Sequence, residues 1–175
     1  LIKPARSAQE DAMRRDFTIN ALFYGPVSEK IIDFVNGQED IKKKLIKFVE
    51  NPRDRIWEDQ NRIVRACRFY AKIDGNFDDE TFKYLKMHSD YIETMVKPER
   101  IRLEILKAMS IKNSSLFFRS LYDIGALKYI FPSLEKCYDH DGGPYHIEPI
   151  FDHCVAAGDH VSIKFPLIKL AAYLH

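Results

Sequence analysis

At 175 residues, with 46% hydrophobic and 30% charged side chains, the chain can bury a core in one or two compact domains, which excludes a disordered or fibrous segment. A formal net charge of +1 excludes a globally basic nucleic-acid binder, so any RNA contact must come from a local patch. Cys67, Cys137 and Cys154 lie far apart with no C-x-x-C pair, which argues against a disulfide framework or a cysteine zinc site and for a reducing, cytoplasmic setting. No apolar run approaches the roughly twenty residues of a membrane span, and no N-terminal stretch has the pattern of a signal peptide. The chain opens on Leu1 and stops at His175 inside an apolar run, as expected of a piece of a longer protein.

In chain order, Ser7 followed by Glu10 has the spacing of a capping box and predicts a short helix over 8–14. Residues 17–24 are rich in strand formers, Gly25-Pro26-Val27-Ser28 is turn material, and 30–34 returns as a second strand. Asn36-Gly37 breaks the pattern before a short basic helix over 38–44 and a further strand over 45–49. From Pro52 onward the periodicity is helical. Asn51 suits an N-cap, Pro52 the first helical position and Gly75 a C-terminal stop, so 51–75 reads as one helix of about six turns. Ile56, Ile63, Val64, Cys67, Tyr70 and Ala71 gather on its inner side, while Glu58, Asp59, Arg62, Arg65 and Arg68 wind along the other. Further helices are predicted over 78–88, 98–109, with Ile101, Ile105 and Leu106 inward, and 116–124. Residues 139–144 are a linker.

The polar face of the long helix admits two readings. As a solvated surface, it is laced by Glu58–Arg62 and Asp59–Arg62 ion pairs worth a few tenths of a kcal/mol each. As a recognition surface, it joins a carboxylate that accepts from a base's exocyclic amine, a guanidinium that donates in a fork to ring acceptors, and further arginines for phosphate.

The motifs decide between them. Glu58-Asp59-x-x-Arg62-x-x-Arg65-x-x-Arg68-Phe69 resembles the E-D-x-x-R-x-x-R-x-x-R-F signature of the class II tRNA nucleotidyltransferase (CCA-adding enzyme) and bacterial poly(A) polymerase family. Upstream, Arg14-Arg15-Asp16-Phe17-Thr18-Ile19-Asn20-Ala21 is similar to that family's R-R-D-F-T-x-N-A motif, and Asp33-Phe34-x-x-Gly37-x-x-Asp40-Ile41 to its D-x-x-x-G-x-x-D-L segment. Downstream, Lys97-Pro98-Glu99-Arg100-Ile101-Arg102-x-Glu104 resembles S-P-E-R-I-R-x-E, and 143–153 resembles the opening of an HD-type helical domain.

The resemblance implies a mainly α chain, α+β overall. Residues 1–50 would be the C-terminal part of a mixed α/β nucleotidyltransferase head domain, 51–136 a helical neck carrying the nucleotide-reading helix, and 137–175 the beginning of an HD-type domain. It implies RNA 3'-terminal nucleotidyl transfer, either CCA addition to tRNA from CTP and ATP or poly(A) synthesis, with Mg²⁺ in the complete enzyme. A non-catalytic helical RNA-binding module and an HD-type metal phosphohydrolase are the rivals. Carried over residue by residue, Arg15 goes to the triphosphate, Asp16 and Asn20 to the ribose, and Asp59 and Arg62 to the base edge. Arg65 and Arg68 go to phosphate or template support, and Glu58 orients its neighbours. Nothing before Arg14 resembles the family's magnesium-binding D-x-D segment, so no catalytic carboxylate is expected in this chain and addition by it alone is not expected. Histidines concentrate from the linker onward, with His140, His146, His153 and His175 as the candidates. Of these, His153 and His175 match the family's metal-type positions; the chain stops where the following aspartate is expected, so they are weak metal ligands at most.

Overall fold

A computed structural model describes residues 4–143 and 148–175; His146 and most of the 143–146 segment singled out above lie outside them. The first helix, α1 (Ala8–Arg14), starts where expected, with Ser7 Oγ accepting from Glu10 N at 3.1 Å. Glu10 does not close the box on Ser7; its carboxylate takes the Arg6 N–H at 2.7 Å and pairs with Arg14. The predicted strand over 17–24 is shorter, because Thr18–Asn20 curls into a 3-10 turn before β1 (Leu22–Gly25) pairs antiparallel with β2 (Lys30–Asp33).

Helix α2 (Gly37–Lys42) follows a left-handed Asn36 and is capped by Asp33, which accepts from the N–H groups of Val35, Gly37 and Gln38 at 2.9–3.0 Å. A Cβ at Gly37 would lie 2.2 Å from the Thr18 carbonyl oxygen, and Thr18 Oγ1 donates to buried Asp40 at 2.6 Å. Two of the sequence motifs are therefore pressed together here. Residues 45–49 pair on two sides: β3 (Leu45–Ile46) runs parallel to β4 (Asn76–Phe77), while Thr18 N bonds Lys47 O and Val49 N bonds Asp16 O, both at 3.0 Å. The second of these bonds anchors the backbone of Asp16. No strand was expected at 76–77; two residues carry too short a pattern to show alternation.

The long helix expected over 51–75 is two helices, α3 (Pro52–Glu58) and α4 (Arg62–Ile73). The start is as predicted: Asn51 Oδ1 accepts from Arg53 N at 2.9 Å, with Pro52 at the first position. The break arises because Asp59-Gln60-Asn61 offers side chains that compete with the backbone ladder. Asp59 is extended (φ −156°, ψ 100°), its Oδ1 accepts from Asn61 N at 3.1 Å, and Gln60 Nε2 and Arg62 Nη1 donate to the Trp57 and Arg55 carbonyls. At the far end Asp74, not Gly75, takes the left-handed conformation, and the helix stops at Ile73.

Helix α5 (Asp79–Met87) and α6 (Tyr91–Thr94) lead to α7 (Pro98–Met109) and α8 (Ser115–Asp123), close to the expected bounds. Short helices α9 (Leu127–Ile130) and α10 (Pro132–Lys136) precede α11 (Ile150–His160) and α12 (Pro166–Tyr173). Helix α4 is the centre of the main core: Ile63, Val64, Ala66, Cys67 and Ala71 are buried against α7 and α8, and Tyr70 packs at the edge. Burial in this apolar setting pushes the Cys67 thiol up to about 12, so it behaves as a small hydrophobe.

The predicted division into an apolar and a solvated side of α4 fails at Arg68. That residue is 8% exposed, stacks over the Phe69 ring at 4.0 Å, and donates through Nε to Glu104 at 2.5 Å. Glu104, on the inner face of α7 and 3% exposed, also accepts from Lys107 at 2.8 Å and faces Arg65 at 3.7 Å. Burial alone would raise its carboxyl, but Lys107, Arg68 and Arg65 outweigh that and hold it below its ordinary value. Among the described residues no helix is long and apolar enough to cross a membrane.

Two outcomes follow from this packing. Gly37→Ala forces the backbone off Thr18 and should cost about 1–3 kcal/mol in chemical denaturation. Glu104→Gln leaves Arg68 buried without its counter-charge and should cost about 3–5 kcal/mol near neutral pH. Because the folded-state carboxyl is depressed, its contribution is present above the ordinary 4.5 and disappears as pH falls through the lower, folded value. The wild-type stability curve should therefore drop on the acid side, and the variant's should be flatter there.

Candidate nucleotide-binding groove

An open groove of about 530 Å³ lies between α1, the 3-10 turn and the N-terminal part of α4, lined by Asp11, Arg14, Arg15, Asp16, Asn20, Asp59, Arg62, Arg65 and Phe69. That volume is in the range of small-molecule sites. Six of the eight residues singled out in the sequence line it: Arg15, Asp16, Asn20, Asp59, Arg62 and Arg65. Glu58 and Arg68 are not among the lining residues. Glu58 pairs with Arg62 at 2.8 Å and with Arg55 at 2.8 Å, and Arg68 is committed to Glu104.

Each lining group is positioned by a neighbour. Arg15, at the C-terminal cap of α1, forks onto Asp11 (3.2 and 2.8 Å), donates to the Asn20 carbonyl at 2.9 Å and lies over the Phe23 ring. Asp16 Oδ1 accepts from Phe17 N at 2.8 Å and Asn20 Nδ2 at 3.1 Å, while Oδ2 takes Nε and Nη2 of Arg65 at 2.8 and 2.5 Å. Arg62, its side chain 13% exposed, spends three of its five N–H donors on the Arg55 carbonyl, Glu58 and the Arg14 carbonyl. The remaining two make no hydrogen bond among the described residues.

Asp59 behaves differently from the sequence reading. Of the two local ion pairs expected, Glu58–Arg62 forms, but Asp59 turns to Arg100 at the start of α7, which donates Nη1 to Oδ1 and Nη2 to Oδ2, both at 2.8 Å. Burial would raise the Asp59 carboxyl; the Arg100 fork and charge, the Asn61 N–H and the nearby Arg62 outweigh it and hold the group below its ordinary value. An ionised Asp59 is an acceptor only, next to a guanidinium with free donors. That pairing can address an exocyclic amine and an adjacent ring acceptor.

Sequence reasoning passed over Asp11, Arg100 and Glu104 as site residues. The last two lie in the quoted P-E-R-I-R-x-E segment at i,i+4, a spacing that places both on one face of α7. Arg14 was quoted in its motif without a role, and Phe69 closed one.

The groove does not fit a magnesium site. Its three carboxylates, Asp11, Asp16 and Asp59, are each taken by an arginine, and among the described residues no three histidines, cysteines or acids converge. His153 and His175 approach with ring centroids 5.4 Å apart; their Nδ1 atoms face Glu148 at 3.3 Å and the Ala172 carbonyl at 2.8 Å. Exposed His140 lies within the 139–144 linker.

Comparison with known proteins bears on this geometry. Residues 2–47 match the model of the poly A polymerase head domain, and 76–138 that of a probable RNA- and SrmB-binding site of polymerase A. The chain is 41% identical over 131 residues to a CCA-adding enzyme of Limosilactobacillus reuteri, covering 75% of this chain and 32% of that protein. It is 31% identical over 136 residues to poly(A) polymerase I of Salmonella typhimurium, covering 78% and 29%. A CCA-adding enzyme solved with ATP superposes with a TM-score of 0.64 at 31% identity, over 71% of this chain and 31% of that one. The Thermotoga maritima CCA-adding enzyme complexed with tRNA gives 0.62 at 31%, over 72% and 31%. The chain thus spans about a third of the length of these relatives. With the motifs in order and the fold shared, the chain belongs to the family of class II tRNA nucleotidyltransferases (CCA-adding enzymes) and bacterial poly(A) polymerases.

Proposed function

We propose that this chain is the nucleotide-selecting part of an enzyme that adds CCA to the 3' end of tRNA from CTP and ATP. The observation that carries the reading is the joint placement of Asp59 and Arg62 in the lining of the groove, together with Arg15 and Arg65. Asp59 accepts one hydrogen from the exocyclic amine of cytosine or adenine, and the free donors of Arg62 reach the ring nitrogen beside it. Uracil and guanine present a carbonyl where the amine is needed, and an ionised carboxylate repels it. Arg15 takes triphosphate oxygens by exchanging its pairing with Asp11; Asn20 lies at hand for a ribose hydroxyl, and Asp16 takes one by releasing one of its four accepted hydrogen bonds. Arg65 braces Asp16, and Arg68 supports the wall from inside through Glu104. Magnesium would supply charge neutralisation at the triphosphate, and in this proposal the carboxylates that would hold it lie outside the groove.

Poly(A) synthesis is the second reading, because the same Asp59–Arg62 pair accepts adenine and family models named for polymerase A match the chain on both sides of the groove helix. Incubating the full-length protein with tRNA lacking its 3' end, and separately with an unstructured RNA, in CTP or ATP, separates the two by product sequence.

Asp59→Ala tests the shared core of both readings. Loss of a charge-assisted contact of about 1.5–3 kcal/mol should lower kcat/KM for CTP and ATP roughly ten- to over a hundred-fold in the full-length protein and erode discrimination against UTP and GTP. A denaturation curve should move by about 1–2 kcal/mol, the scale of an exposed ion pair and a local side-chain cap, leaving the chain folded. Wild-type selectivity in a folded variant would show that this wall does not read the base. The 175-residue chain alone, given the same RNA, nucleotides and magnesium, should extend nothing above a buffer control.

A further inference from the structure

The acceptor capacity of Asp59 is almost spent before any nucleotide arrives. A carboxylate offers about four lone-pair positions. Arg100 takes one on each oxygen, and the Asn61 N–H takes a second on Oδ1. One position remains, on Oδ2. Arg100 does not line the groove, and its side chain is 48% exposed against 29% for Asp59, so it approaches from behind and outside. Its guanidinium fork is spent on one partner, Asp59. Helix α7, begun by Pro98, sets the angle of approach, and Glu104 one turn later is bolted to α4 through Arg68.

We propose that Arg100 is a positioning residue for base selection: by forking onto Asp59 it leaves a single acceptor, on Oδ2, for one amine hydrogen of a cytosine or adenine ring. The inference rests on the reading of Asp59 as the base-reading group. Without the fork, only the Asn61 N–H holds the carboxylate, on Oδ1, and the groove no longer presents one acceptor on Oδ2 in one direction. The arginine also keeps the carboxyl ionised, so that it has no O–H to offer the carbonyl of uracil or guanine.

The experiment measures kcat/KM for all four nucleotides in the full-length protein carrying Arg100→Ala, Arg100→Lys, Asp59→Ala or the Asp59→Ala/Arg100→Ala pair. Arg100→Ala should lower the CTP-to-UTP and ATP-to-GTP ratios on the order of ten-fold, the scale of effect expected from a loosened reactive geometry. Arg100→Lys, which keeps the charge but not the fork, should recover only part of the ratio. The double variant should be no worse than Asp59→Ala alone, since both act through one carboxylate. In parallel, carboxyl NMR of the 175-residue chain should show Asp59 titrating at higher pH in Arg100→Ala than in wild type. If Asp59→Ala loses selectivity while Arg100→Ala keeps the wild-type ratios, or loses rate equally with all four nucleotides, the proposal is overturned and the reading of Asp59 stands. If Asp59→Ala itself keeps selectivity, that reading falls and takes this inference with it. Should Arg100→Ala fail to fold, Arg100→Lys carries the test: wild-type ratios there show that the fork is not needed.

Discussion

Glu104 is the charge on which the arrangement turns. A carboxylate that is 3% exposed is expensive to bury unless cations surround it, and here Arg68, Lys107 and Arg65 do so. Two of those three come from α4, so the anion fastens α7 to the helix that forms the groove floor. Arg65 then reaches past Glu104 to Asp16, whose backbone carbonyl is bonded to Val49. One line of ionic contacts thus joins the start of the chain, the central helix and α7. A run of guanidiniums at spacing three, self-repelling in isolation, becomes a set of cross-braces once carboxylates from distant segments meet it.

Helix α7 consequently serves the groove from behind with both signs of charge. Arg100 and Glu104, four residues apart on one face, meet an anion and cations respectively. The break at 59–61 is what makes the first of these contacts possible. A continuous helix would carry Asp59 along the same stripe as Arg62, where the two would neutralise each other. The extended Asp59 instead faces α7, and Arg62 keeps two donors uncommitted.

Much of this was legible in the sequence where local chemistry decides the outcome. The Asn51-Pro52 start, the Pro98–Met109 helix, the hairpin around Gly25-Pro26 and the inward set of α4 all follow from caps, breakers and periodicity. The motif residues converge on one groove, six of eight on its lining. What was not legible depends on contacts across long sequence separations. Periodicity gives Arg68 to the polar face, and only Glu104, thirty-six residues on, explains its burial. The helix break was missed because Asp59-Gln60-Asn61 is compatible with a helix by propensity, and the competing side-chain bonds prevail once Arg62 caps the Arg55 carbonyl. Strand β4 exists only because Gly75 lets the chain approach the Lys44 carbonyl, to which a Cβ would come within 2.3 Å.

The groove's charges, finally, are stored as pairs. Arg15 rests on Asp11, Arg65 on Asp16, Asp59 on Arg100, in a chain whose net charge is only +1. A site of bare arginines would attract any polyanion; paired ones release their donors only to a ligand that offers better-matched acceptors, at a cost set by the pair being broken. Phosphate oxygens meet that condition at half-exposed Arg15, where the Asp11 pair is screened and weak. They meet it less readily at Arg65, whose carboxylate partner is 8% exposed and held by two further N–H groups. The two arginines therefore divide naturally into one that exchanges partners and one that braces, and the difference lies in the burial of their carboxylates.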